Sequence, residues 1–145
     1  MKIKKKAAVV AYDLLKNISL KGVSLKGKLH ILCATSAFRK VTEDFVTAIN
    51  EAEKELKNEQ YQEMYERAAK WNAEGDASTL SEDEKKEIND FFRNYDKEIL
   101  AIISPEEELD IDLGNGSISR EDLAMIADSL TVEALLFLND ILCNN

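Results

Sequence analysis

The chain has 145 residues, 45% of them hydrophobic and 32% charged, with 28 acids against 19 bases and a formal net charge of −9. That apolar content excludes global disorder, and the length suits one domain able to bury roughly 70% of its unfolded surface. One histidine, two cysteines and five glycines leave few parts for a catalytic site.

The charge is segregated. Residues 1–40 hold ten Lys/Arg and one acid, Asp13, whereas residues 41–145 hold nine Lys/Arg and 27 acids. The chain is a basic head on an acidic body. Its start, Met1-Lys2-Ile3-Lys4-Lys5-Lys6 before Ala7, imitates a signal peptide, but Asp13 and Lys16 end the apolar run and no small-residue cleavage site follows. The longest apolar runs, such as Ala7–Tyr12 and Ala134–Leu138, fall far short of the roughly 20 residues that span a bilayer. Cys33 and Cys143, far apart and outside any Cys-x-x-Cys pair, read as reduced apolar fillers of a cytosolic protein.

The first predicted helix runs from about Lys5 to Ser19 with a stripe of Ala8, Ala11, Leu15 and Ile18, and ends where Gly22 can turn left-handed. Ser24-Leu25-Lys26-Gly27 echoes Ser19-Leu20-Lys21-Gly22 and leads into the second helix. From about Lys28, apolar residues recur at Ala34, Phe38, Val41, Phe45, Ala48, Ala52 and Leu56, close to a 3.5-residue seam. Tyr61, Met64 and Ala68 prolong it, so the helix is expected to span about 40 residues, roughly 60 Å. Any kink belongs at the polar stretch Lys57-Asn58-Glu59-Gln60.

Gly75-Asp76 marks a turn, and Ser81 with Glu84 forms a capping-box pattern that opens a third long helix. Its apolar face is Ile88, Phe91, Phe92, Tyr95, Ile99, Ile102 and Ile103; Ser104-Pro105 ends it, and it is the natural antiparallel partner of the second helix. Leu109, Ile111 and Leu113 alternate with Asp110 and Asp112 as a strand, with Gly114-Asn115-Gly116 as its turn. Ser119 and Thr131 cap two final helices, the last with Leu135, Leu136, Leu138 and Leu142 facing inward. The expected fold is mainly α and a single domain over 1–145. It comprises a basic helix and turn (1–27), a long antiparallel helical hairpin (28–103), and a β excursion near 109–118 followed by two short helices (104–145).

Asp110, Asp112, Asn115 and Asp122 imitate part of an EF-hand. In the register that puts Gly116 sixth, however, the first and third ligand positions fall on Ile111 and Leu113, so no metal is expected. His30 lies one helical turn from Cys33, but no third group orients it as a nucleophile's base. The runs Glu82-Asp83-Glu84 and Glu106-Glu107-Glu108 flank helix starts or loops, where negative charge is favourable or solvated. No phosphate loop, dinucleotide fingerprint or nucleophile elbow occurs, so neither an enzyme nor a cofactor is expected. The basic head comprises Lys4, Lys5, Lys6, Lys21, Lys26, Lys28, Arg39 and Lys40, together with Lys2. Nucleic acid is disfavoured as its partner, because the remaining residues are acidic and repel phosphate. Complementarity with acidic helices, within the fold or between subunits, fits better.

Met1-Lys2-Ile3-Lys4, the Lys-Gly turns Lys21-Gly22 and Lys26-Gly27, the long charged helix, the alternating Glu108–Leu113 and the final Leu130-Thr131-Val132-Glu133 together resemble a family of small tailed-phage and prophage proteins of unknown function, encoded near structural genes. The resemblance implies a bacterial host's cytoplasm or a virion. The expectation is a non-enzymatic virion or assembly component (tail, neck or head–tail associated) acting through protein contacts. Other phage structural proteins or further copies of the chain are its candidate partners. The alternative is a small regulatory protein that binds a host protein or nucleic acid through its lysine-rich start.

Overall fold

The structure, a computed structural model, describes residues 1–114 and 116–143. The fold is mainly α, and the chain separates into two compact units, residues 1–45 with 105–145, and residues 46–104. This division falls inside the segment 28–103 that periodicity marks as one hairpin.

In the first unit, strand β1 (Lys2–Lys4) pairs antiparallel with β2 (Glu108–Asp110), Ile3 lying opposite Leu109. Alternation sends Ile3 inward and leaves Lys2 and Lys4 exposed, so the segment that imitates a signal peptide is an edge strand. The predicted β excursion is therefore real, and its partner is the N-terminal segment. The Ile118 N–H donates to the Leu142 carbonyl at 3.0 Å.

Helix α1 (Lys5–Leu15) buries Ala8, Ala11 and Leu15, and stops before the expected Ser19. Gly22 is left-handed (φ 82°), as foreseen, but it forms no helix cap. It occupies the third position of a separate turn in which the Val23 N–H donates to the Leu20 carbonyl at 3.2 Å.

Helix α2 (Leu25–Leu56) starts three residues before the expected Lys28. Ser24 caps it, its hydroxyl accepting the Gly27 N–H at 3.0 Å. In this unit the predicted seam is real: Ala34 and Phe38 are fully buried, with Val41 half-buried against the same core. Helices α5 (Arg120–Met125) and α6 (Val132–Leu142) are capped by Ser119 and Thr131 as predicted. Leu136, expected inward, is 62% exposed. The buried stripe is Leu138, Ile141 and Leu142, and a residue two positions before Leu138 points to the opposite face. Fully burying a side chain such as Phe38 contributes about 1.5–3 kcal/mol, so this core carries the unit's stability.

In the second unit, α2 ends at Leu56 and α3 (Glu59–Glu74) begins, dividing the predicted 40-residue helix at its expected kink. The cause is local: the Asn58 side chain accepts the Tyr61 N–H at 3.0 Å, satisfying a new helix start. Helix α4 (Glu82–Ile103) opens on Ser81, whose hydroxyl accepts the Glu84 N–H at 3.2 Å, and ends where Ser104 turns left-handed before Pro105. Its antiparallel partner includes α3 and not α2 alone. The Tyr61 ring lies 4.9 Å from that of Tyr95 and 5.8 Å from that of Phe92, and Arg67 reaches Glu87 at 3.4 Å. Ile88 and Ile103 are buried on α4, whereas Ile102, expected on the same face, is half exposed. Among the described residues, no helix is long and apolar enough to cross a membrane.

Candidate functional site

The basic head divides into two groups. The β1–β2 pairing carries Glu106 and Glu107 back beside the start of α1, where the Lys5 and Lys6 N–H groups donate to the Glu107 and Pro105 carbonyls. Lys4 then reaches Glu106 at 2.8 Å, Lys6 pairs with the other oxygen of Glu106, and Lys5 pairs with Glu107. Hydrogen bonds from Lys4 and Lys6 hold the Glu106 carboxyl below its ordinary range, and the Lys4 amine is raised by the same contact. The amino terminus meets Asp110 at 3.0 Å. The acid run at 106–108, read from sequence as solvated charge, thus offsets the lysine run. These pairs are exposed or half-exposed, so they set register more than they stabilise.

Arg39 is held by Glu43, one helical turn away, at 2.8 Å. Lys21, Lys26, Lys28 and Lys40 have no ion-pair partner among the described residues. Lys21 lies in the turn before α2, and Lys26, Lys28 and Lys40 lie on its first half, where Leu25, Leu29 and Leu32 are 74%, 56% and 55% exposed. Sequence reasoning followed the buried seam through Ala34 and Phe38 and missed this second stripe. Its signal was present in the four-then-three spacing of the leucines.

Beside the stripe lies a cleft of about 210 Å³ lined by Lys26, Leu29, His30, Cys33, Leu113, Gly114, Gly116 and Ser117. His30 is buried, its Nε2 has no hydrogen-bond partner among the described residues, and burial pushes its pKa down, which favours the neutral imidazole. Cys33 is exposed and Cys143 half-buried; both are free thiols, so Cys33 is not the apolar filler expected. Burial raises the Cys143 thiol. Among the described residues, no carboxylate lines the cleft to orient His30 as a base.

The EF-hand-like residues are not gathered. Asp110 pairs with the amino terminus, and Asp112 accepts the Gly114 N–H at 2.8 Å in its own turn. Asn115 lies outside the described residues. Asp122 is buried and turned toward Ser24, accepting its N–H at 2.8 Å and its hydroxyl at 2.6 Å. This tie between α5 and the start of α2 was not legible in the sequence, which offered Asp122 as an EF-hand-like acid near a helix start. Among the described residues, no group of three or more His, Cys, Asp or Glu side chains could hold a metal.

Two further openings are grooves between helices, the first apolar and the second mixed, with Asn72 and Asn89 in its lining. One of about 420 Å³ lies between α5 and α6, lined by Leu123, Val132, Leu135 and Leu136 among others. The other, about 620 Å³, lies between α3 and α4 beside Tyr65, Trp71, Ile88 and Phe92. Neither presents a nucleophile with its base.

The chain thus belongs to the broad class of mainly helical proteins whose exposed features are apolar faces and charge. No protein-family model matches it, and neither curated proteins nor solved structures give a significant match. The likeness to small tailed-phage proteins rests on the sequence motifs alone.

Proposed function

We propose that the protein is a non-enzymatic interaction protein, a phage virion or assembly component of the tail, neck or head–tail junction, that works by docking onto other proteins. The observation behind this reading is the stripe of Leu25, Leu29 and Leu32, more than half exposed and flanked in sequence by Lys26 and Lys28, which have no acid partner among the described residues. Exposed apolar surface rimmed by polar groups is the usual signature of a protein-binding face. The regulatory alternative leans on Lys4–Lys6, whose charge is offset by Glu106 and Glu107, which weakens the field they offer to a nucleic acid.

The test is co-expression with phage tail, neck and portal proteins, followed by size-exclusion chromatography with light scattering. A complex of defined stoichiometry with one of them is expected. A monodisperse free monomer in every combination overturns the proposal.

A further inference from the structure

The first half of α2 carries two opposite seams. In heptad terms Leu25 and Leu32 occupy d, and Leu29 and Ser36 occupy a. The b, c and f positions, among them His30, Ile31, Ala34, Ala37, Phe38 and Val41, turn toward the first unit's core. The flanking e and g positions hold Lys26, Lys28, Cys33, Thr35 and Lys40. Between Ser24 and Thr42 the sequence has no acid.

From this arrangement we infer that the exposed seam of α2 is a coiled-coil docking face for an acidic amphipathic helix of another protein. The inference rests on the interaction role proposed above and names the chemistry of the partner. The e and g positions set partner choice in paired helices, and here they are basic or neutral with none of their lysines neutralised. Two copies joined through this face would bring two sets of lysines together with no acid between them, which disfavours self-pairing. A helix with leucines at a and d and glutamates at e and g would cover the leucines and neutralise the lysines at once. The apolar seam spans about two turns before Ser36 interrupts it, so the contact is short and depends on charge.

The test uses the full chain and two four-heptad synthetic helices, both with leucine at a and d, one with glutamate and one with lysine at e and g. Binding is followed by fluorescence anisotropy and by protection of the exposed Cys33 from alkylation. The glutamate helix should bind, with an affinity that falls about tenfold between low and physiological salt, and the lysine helix should not. Leu29→Asp should abolish binding with an unchanged circular dichroism spectrum, since Leu29 supports no core contact that the fold needs. Ser36→Leu should tighten it by completing the seam. The triple charge reversal Lys26→Glu, Lys28→Glu and Lys40→Glu should transfer binding to the lysine helix.

Equal binding of both helices, or of neither, overturns the inference. So does a concentration-dependent dimer that Leu29→Asp dissolves, which would assign the face to a second copy. Binding to anionic phospholipid vesicles without binding to the glutamate helix would assign it to a membrane surface. If a complex with a tail or neck protein forms and survives Leu29→Asp, this inference fails while the interaction role stands. If the glutamate helix binds but no phage protein does, the role fails and the chemistry of the face stands.

Discussion

Asp122 and Ser24, 98 positions apart in sequence, are joined twice: the carboxylate accepts both the Ser24 N–H and the Ser24 hydroxyl, at 2.8 and 2.6 Å. The same hydroxyl accepts the Gly27 N–H, so one serine both caps α2 and anchors α5 to it. Because the carboxylate is buried, Asp122→Ala leaves the Ser24 N–H without its partner and should cost about 1.5–3 kcal/mol in urea unfolding. The hydrogen bonds from Ser24 hold the Asp122 carboxyl below its ordinary 3.8. Its contribution is therefore complete above that value and fades as pH falls through the lower folded value, and acid unfolding of Asp122→Asn should lack this component.

Gly27 faces the same carboxylate, and a Cβ built on it would lie 2.3 Å from Asp122 Oδ2 and 2.9 Å from Val23 Cγ1. In an unobstructed helix Gly→Ala stabilises by about 0.4–1 kcal/mol. Here Gly27→Ala should destabilise by about 1–3 kcal/mol through overpacking. A double-mutant cycle with Asp122→Ala should show a coupling well outside additivity, since the two groups touch.

Lys4, Lys5 and Lys6 are offset by Glu106 and Glu107, so removing those acids exposes their charge. The double variant Glu106→Gln, Glu107→Gln should acquire salt-sensitive binding to duplex DNA in a gel-shift titration, relative to the native chain. Unchanged binding would mean that these pairs do not limit the field of the basic start.

Phe38 is fully buried whereas Leu136 is 62% exposed, although the sequence ranks both as inward-facing. Phe38→Ala should cost about 3–5 kcal/mol, and Leu136→Ala less than about 0.5 kcal/mol, by chemical denaturation. A comparable cost at Leu136 would place that residue in a core.

His30 is buried with its Nε2 unpartnered, and burial lowers its pKa from 6.5. Protonation therefore favours the unfolded chain: stability is complete above 6.5 and declines as pH falls from there toward the lowered folded value. Proton NMR should place the His30 titration below 6.5, and His30→Gln should flatten the melting temperature across that window.

Much of the fold is written in local signals. Ser81, Ser119 and Thr131 are read correctly as caps because a side-chain oxygen three residues from a free N–H needs nothing beyond its own helix turn. The break at Lys57–Gln60 is legible for the same reason, although the cap that causes it, Asn58, is not singled out by polarity alone. The partner of β2 is not legible in the sequence, because strand alternation states which residues face inward, not which distant segment supplies the ladder. The exposed leucines of α2 were passed over because two seams half a turn apart compete for the same periodicity, and burial decides between them.

The net charge of −9 and its division into a basic head and an acidic body are properties of the sequence alone, as are the helical class and the caps. Only the tertiary structure decided which lysines remain available. Folding brings Glu106 and Glu107 a hundred positions or more back to Lys4–Lys6, and brings no acid to Lys21, Lys26, Lys28 or Lys40 among the described residues. The physical reason is range: propensity and capping act within a turn, whereas charge neutralisation and burial depend on contacts that chain order does not encode.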